Sequence, residues 1–297
     1  MTEFSPLVDE ALVDAGLDLA DIRRLVDTAL AEDLRYGPDA TTAATVSEDA
    51  VAVAELTPRK PGTVAGVPVA LAVFATVLDC DVLDQVADGT RLAAGTPALT
   101  VRGPVRGLLT AERTALNLLC HLSGVATATA AWVDAVAGTG CAIRDTRKTL
   151  PGLRLAQKYA VRMGGGVNHR LGLGDAVLIK DNHVVAAGSV GAALAAVRER
   201  APELHCEVEV DTLDEFDDVL ALAADEVLLD NFTPDQCAEA VRRRDTAGAK
   251  TRLEASGGLT LDVATAYART GVDYLSVGGL THSVIALDLG MDLRSRL

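Results

Sequence analysis

Beyond residue 140 the chain alternates short apolar runs with longer amphipathic ones. The runs CAIRD (141–145), AVLIK (176–180), CEVEV (206–210), EVLLD (226–230), RLEAS (252–256) and YLSVG (274–278) predict six strands. Helical patterns of roughly 10–15 residues separate them, which indicates parallel βαβ units. The runs read as apolar on both faces, as a barrel or a doubly wound sheet requires. A complete barrel has eight strands, so periodicity alone leaves barrel and open sheet both standing.

The first third has a different texture. A helix is predicted over Leu19–Asp33, followed by strand-like pieces at 51–58, 62–69 and 97–103 with an Ala-rich helix at 69–78 between them. Gly and Pro punctuation marks a small α+β domain. A long helical pattern from Ala111 to Val136 follows, with Leu116, Leu119, Val125 and Trp132 among its apolar positions.

At 297 residues there is room for one large α/β domain or two unequal ones. Apolar residues make up 49% but aromatics only 3%, so the core is expected to be Ala, Val and Leu. Five scattered cysteines without a CxxC pair argue against a disulfide framework or structural zinc, and for a reducing compartment. The acidic N-terminus is unlike a signal peptide, and no uninterrupted apolar run reaches membrane-spanning length. A soluble cytoplasmic protein is the expectation.

Charge is distributed unevenly. Residues 141–180 hold eight Arg or Lys against two acids, +6 inside a chain of formal net charge −15, leaving −21 for the remainder. A local positive field attracts small anions, while the acidic remainder repels nucleic acid and anionic membrane. Arg154, Lys158 and Arg162, spaced i, i+4, i+8, read as a solvated helix face. Arg147, Lys148, His169, Arg170 and Lys180 sit instead at turns and at the end of an apolar run, as a pocket for a multiply charged anion would place them.

Every predicted strand ends in polar or Gly residues: Asp145-Thr146-Arg147-Lys148, Lys180-Asp181-Asn182-His183, Glu209 with Asp211, Asp230-Asn231, Ser256-Gly257-Gly258 and Gly278-Gly279. Ligands bind at that edge of parallel α/β folds. One polar strand end is a common turn or cap, but six in succession describe groups facing one crevice. The glycine pairs, each leading into a predicted helix, suit a phosphate because Gly lets backbone N–H groups approach an anion. Gly164-Gly165-Gly166 reads as a helix stop. Glu209 and Asp230 suit acid–base chemistry, Mg²⁺ or sugar hydroxyls. Beside phosphate loops they fit a ribose phosphate with magnesium-bound pyrophosphate best.

Six stretches, in order, resemble the quinolinate phosphoribosyltransferases, also called carboxylating nicotinate-nucleotide pyrophosphorylases. They are ERTALNLLCHLSGVATAT (112–129), DTRKTLPGLRLAQKYAVRMGGGVNHRLGLGDAVLIKDNH (145–183), EVEVDTLDE (207–215), VLLDNFTP (227–234), EASGGL (254–259) and DYLSVGGLTHS (273–283). The central block is highly specific, whereas the first third matches mainly in texture. The resemblance implies an incomplete parallel α/β barrel (117–283) with an N-terminal α+β sandwich domain (1–116, completed by 284–297). It also implies a homodimer in which Arg113 reaches the partner's site.

Carried over by motif, Arg147, His169, Arg170 and Lys180 hold the carboxylates of quinolinate. Lys148, Glu209, Asp230, Ser256, the backbones at Gly257, Gly258, Gly278 and Gly279, and His282 hold phosphoribosyl pyrophosphate, while Thr146 and Ser276 line the substrate site. Mg²⁺ would come with that substrate, approached by Glu209 and Asp230, and no organic cofactor is implied. The implied reaction, a step of NAD biosynthesis, yields nicotinate mononucleotide, CO₂ and pyrophosphate. Three rivals are weighed against it. A Schiff-base aldolase would use Lys180 but does not call for Arg147, His169 and Arg170 around it. A nicotinate phosphoribosyltransferase without decarboxylation needs fewer cations. A non-catalytic phosphometabolite-binding protein does not need both Glu209 and Asp230.

Overall fold

The structure, a computed structural model, describes residues 4–294; the outermost residues of the expected sandwich domain, 1–3 and 295–297, lie outside it. The first elements are α1 (Pro6–Asp14), α2 (Leu19–Asp33), α3 (Ala40–Thr45), β1 (Val51–Pro58), β2 (Gly62–Thr63) and α4 (Val67–Val77). Next come β3 (Asp81–Gln85), β4 (Arg91–Leu92), β5 (Leu99–Pro104), α5 (Val105–Ala135), β6 (Ala142–Arg144) and α6 (Arg154–Met163). Then follow β7 (Val177–Ile179), α7 (Asp181–Ala187), α8 (Val190–Arg200), β8 (Cys206–Val210), α9 (Leu213–Ala221) and β9 (Glu226–Asp230). The chain closes with α10 (Pro234–Thr246), β10 (Arg252–Ser256), α11 (Ala264–Ala268), β11 (Tyr274–Ser276), α12 (Gly279–His282) and β12 (Leu289–Arg294). Contacts divide it into two units, 1–130 with 149–165 and 281–297, and 131–148 with 166–280. The boundary expected at 116/117 falls inside α5.

The first unit holds an antiparallel sheet of order β12-β1-β5-β3. The tail strand β12 pairs with β1 from Val53↔Arg294 to Pro58↔Leu289. Asp18 and Asp39 cap α2 and α3 by accepting from the amides of Asp21 and Thr42. Of the predicted strand 62–69 only Gly62–Thr63 is strand. Gly66 adopts φ +100° and Pro68 lies in the first helical turn, so the chain enters α4 at Val67. By length and composition α5 would suffice to cross a membrane, yet 56% of its most apolar window is buried, as in a core helix. Leu116, Leu119, Val125 and Trp132 are all buried.

The solvated face predicted on α6 needs correcting at Lys158, which is fully buried, although Arg162 is exposed. The buried residues of α6 run unbroken from Ala156 to Val161, so packing closes round the helix at that level.

The second unit holds six parallel strands in the order β6-β11-β10-β9-β8-β7. β6, first in the chain, pairs with β11, the last, which is the closing step of a barrel and not of a doubly wound sheet. β6 and β7 do not pair, so one seam stays open, and at its β6 edge an isolated bridge joins Arg144 to Val167. The expectation of strands apolar on both faces is overturned. Val208, Val227, Leu229, Leu253, Ala255, Leu275 and Ile143 supply one apolar face, while the alternate positions include Arg144, Glu207, Glu226 and Glu254, all buried. Charge can occupy that face because the strands bring opposite signs together.

Candidate active site

The strand ends of the second unit enclose a cavity of about 250 Å³ lined by Thr146, Arg147, Lys148, His169, Arg170, Lys180, Glu209, Asp230, Ser256 and Ser276, with Leu178, Leu228 and Glu254 beside them. Ten of the residues expected from sequence therefore meet in one place. Gly257, Gly258, Gly278 and Gly279 follow the same strands but do not line this cavity. Arg113 and His282 are exposed residues of the first unit, His282 paired through Nδ1 with the Ser283 hydroxyl.

The cations are held close together. Burial first, and next the nearby Arg147 guanidinium, lower the pKa of Arg170. The Nε of Arg147 is buried without a hydrogen-bond partner. Lys180, just after β7, forms an ion pair with Glu209 of β8, each one residue beyond the last register pair Ile179↔Val208. A dianion entering this pocket offers these groups partners that water would otherwise supply.

The loop carrying His169 and Arg170 is fixed by Asp145, at the end of β6. Its carboxylate accepts from the His169 amide at 2.8 Å and from Asn168 Nδ2 at 2.6 Å. Between β9 and β10, Asn231 (φ +56°) donates its amide to Ser256 O at 2.9 Å, and its Nδ2 donates to Asp230 Oδ2 at 2.7 Å. Gly257, at φ +98°, has no room for a Cβ, which would collide with the Asn231 side chain and amide. The glycine there serves strand-end packing as well as any anion. The helix predicted after Gly258 is reduced to the five-residue α11 behind a turn, so it adds little dipole to that loop.

Sequence reasoning missed the charged cluster under the cavity. Arg144 donates to Glu226 and, at 2.6 Å, to Glu254, and its guanidinium lies 3.6 Å from the Tyr274 ring centre. Glu226 also meets His205 at 3.1 Å and Arg252 at 3.2 Å. Burial pushes Glu254 up to about 7 and likewise raises Glu207. Burial opposes the ionisation of Glu226 too, but the His205 hydrogen bond and the Arg144 charge hold it down at about 2. The one available signal was the period of two: Glu207 and Glu254 sit two residues before Glu209 and Ser256.

A cationic cavity flanked by carboxylates at the C-terminal ends of an incomplete parallel barrel defines an α/β enzyme acting on small polyanions. Residues 125–292 match the quinolinate phosphoribosyl transferase C-terminal domain, and residues 39–123 match its N-terminal domain. The chain belongs to the quinolinate phosphoribosyl transferase family. It is 60% identical to a Mycobacterium leprae nicotinate-nucleotide pyrophosphorylase (carboxylating), over 95% of this chain and 100% of that one. The human protein of the same name is 41% identical over 91% of this chain and 90% of its own. The solved nicotinate-nucleotide pyrophosphorylase of Francisella tularensis superposes with a TM-score of 0.89 at 38% identity, covering 94% of this chain and 98% of that one.

Proposed function

We propose that this chain transfers the phosphoribosyl group of phosphoribosyl pyrophosphate to the nitrogen of quinolinate, with loss of CO₂, giving nicotinate mononucleotide and pyrophosphate. The observation that carries the reading is the meeting of Arg147, Lys148, Arg170 and Lys180 with Glu209 and Asp230 in one cavity. Arg147, Arg170 and Lys180 take the two carboxylates; Lys148 stabilises the departing pyrophosphate. Glu209 and Asp230 accept from the ribose hydroxyls as C1 gains cationic character. For Lys180 to reach quinolinate and Glu209 the ribose, their mutual ion pair opens. The pyridine nitrogen attacks C1, and the resulting pyridinium receives the electron pair left when the 2-carboxylate departs as CO₂. A proton then completes C2.

Glu209 and Asp230 are part-exposed carboxylates on adjacent strands, a donor set that fits Mg²⁺ arriving with a polyphosphate. Bound there, the ion would neutralise charge on pyrophosphate. The cytoplasm suits an enzyme whose five cysteines are free thiols. Release of labelled CO₂ from quinolinate, dependent on phosphoribosyl pyrophosphate, tests the reaction; release without it, or none, contradicts the reading.

The active assembly in this reading is a homodimer, with Arg113 reaching the partner's site. Arg113→Ala and Arg147→Ala chains, each inactive alone, should recover activity when mixed, because about half of the sites in a heterodimer receive both wild-type groups. Subunit exchange without recovered activity contradicts the sharing.

A further inference from the structure

His169, which the resemblance implies holds a quinolinate carboxylate, lines the cavity, but both of its ring nitrogens are engaged by the protein itself. Nδ1 accepts from the Arg170 amide at 2.7 Å, and Nε2 lies 2.7 Å from Glu207 Oε2. An amide N–H can only donate, so Nδ1 bears no proton and the ring carries its proton on Nε2, donated to Glu207. The ring is only 11% exposed and the Glu207 side chain 2%. His169, Glu207 and Glu254 bring three possible metal-ligand atoms within 4.8 Å of one another. An imidazole protonated on Nε2 cannot ligate a cation from that atom, so this geometry favours a hydrogen-bond lock over a metal centre.

We infer that Glu207 is a positioning residue for the quinolinate subsite: it fixes the tautomer and plane of His169, which in turn seats the Arg170 backbone from which the carboxylate-binding guanidinium extends. The lock closes on itself through the fold. The His169 amide is held by Asp145, next in chain to Arg144, and Arg144 grips Glu254 on β10 and Glu226 on β9, the strand beside β8 with Glu207. The loop at the open barrel seam is thus tied to β8 and to the residue that follows β6, where a lone turn would leave Arg170 free to swing. Phosphoribosyl pyrophosphate, bound by other residues, does not depend on the lock.

This inference rests on the proposed use of quinolinate, so its test has one arm that needs no substrate. In the ¹⁵N-labelled wild-type protein, with the His169 signals assigned from His169→Asn, Nδ1 should be pyridine-type and Nε2 pyrrole-type. A protonated Nδ1 overturns the lock. In the kinetic arm Glu207→Met, similar in size but without a strong acceptor, should raise the quinolinate KM roughly tenfold to a hundredfold, the scale of an ångström-level misplacement, with the phosphoribosyl pyrophosphate KM unchanged. Glu207→Gln, whose amide oxygen still accepts from Nε2–H, should rescue most of the loss. An unchanged quinolinate KM in Glu207→Met, or an equal rise in both KM values, overturns the inference. The tautomer is read on the wild-type chain and decides the lock even if Glu207→Met fails to fold. Wild-type protein that ignores quinolinate but shows this tautomer sinks the substrate reading and leaves the lock in place.

Discussion

At the strand ends Arg147, Arg170 and Lys180 face a cavity, while beneath them Arg144, Glu226 and Glu254 face one another, all three buried. The first group stands on the segments after β6, before β7 and after β7, and the second lies within β6, β9 and β10. The upper set concentrates like charge, of which only Lys180 has a carboxylate partner among the described residues, Glu209. The lower set gathers two carboxylates round one guanidinium, and there a missing partner strands an ion in low dielectric. Substitutions above should therefore change ligand binding, and substitutions below should change folding.

Arg144→Met gives the largest separation. It leaves Glu226 and Glu254 without their shared cation and should cost about 3–5 kcal/mol of stability, measured by denaturant unfolding. A variant as stable as wild type, impaired only in turnover, would erase the distinction between the two tiers.

Next in size is Glu254→Gln. The folded pKa of Glu254, about 7, lies above the ordinary 4.5, so its stabilising contribution is complete below pH 4.5 and is lost as pH rises through 7. Across that window the wild type should lose on the order of 3 kcal/mol from this group, and the non-titrating variant should have a flatter profile. Parallel stability–pH curves would show that Glu254 is ionised throughout.

Arg170→Lys tests the upper tier. Lys cannot reproduce the planar fork, so quinolinate affinity should fall by ~1.5–3 kcal/mol by calorimetry, with the unfolding midpoint unmoved. Equal affinity would remove Arg170 from the subsite. The smallest effect is expected outside both tiers, at the exposed Asp217–Arg243 pair linking α9 and α10. Asp217→Asn should leave both midpoint and turnover within scatter, since exposed ion pairs contribute little.

The upper tier was readable in the sequence and the lower was not, for a physical reason. Strand ends announce themselves through turn chemistry, so Asp230-Asn231 and Ser256-Gly257-Gly258 stood out against apolar runs. Glu207, Glu226 and Glu254 lie inside those runs, where one acid among Val and Leu resembles noise. Their partner Arg144 is 82 residues from Glu226 and 110 from Glu254, a pairing that only the return of β11 to β6 creates. The same holds for Lys158, whose helical spacing advertised a solvated row before tertiary packing enclosed it. Periodicity alone likewise left barrel and open sheet both standing; the family resemblance implied the barrel, and the pairing of the first strand with the last bears it out. The turn into α4 was signalled by Gly66 and Pro68 and outweighed by the apolar run around them.

The chain has a single tryptophan, Trp132, buried near the end of α5 within the second unit. All indole emission thus originates from one address, whereas far-ultraviolet dichroism averages the backbone of both units. Superimposable melting curves from the two signals would mean that the sandwich and the barrel unfold as one cooperative body. Curves that part would time the barrel's loss of packing separately, with no dye or label introduced.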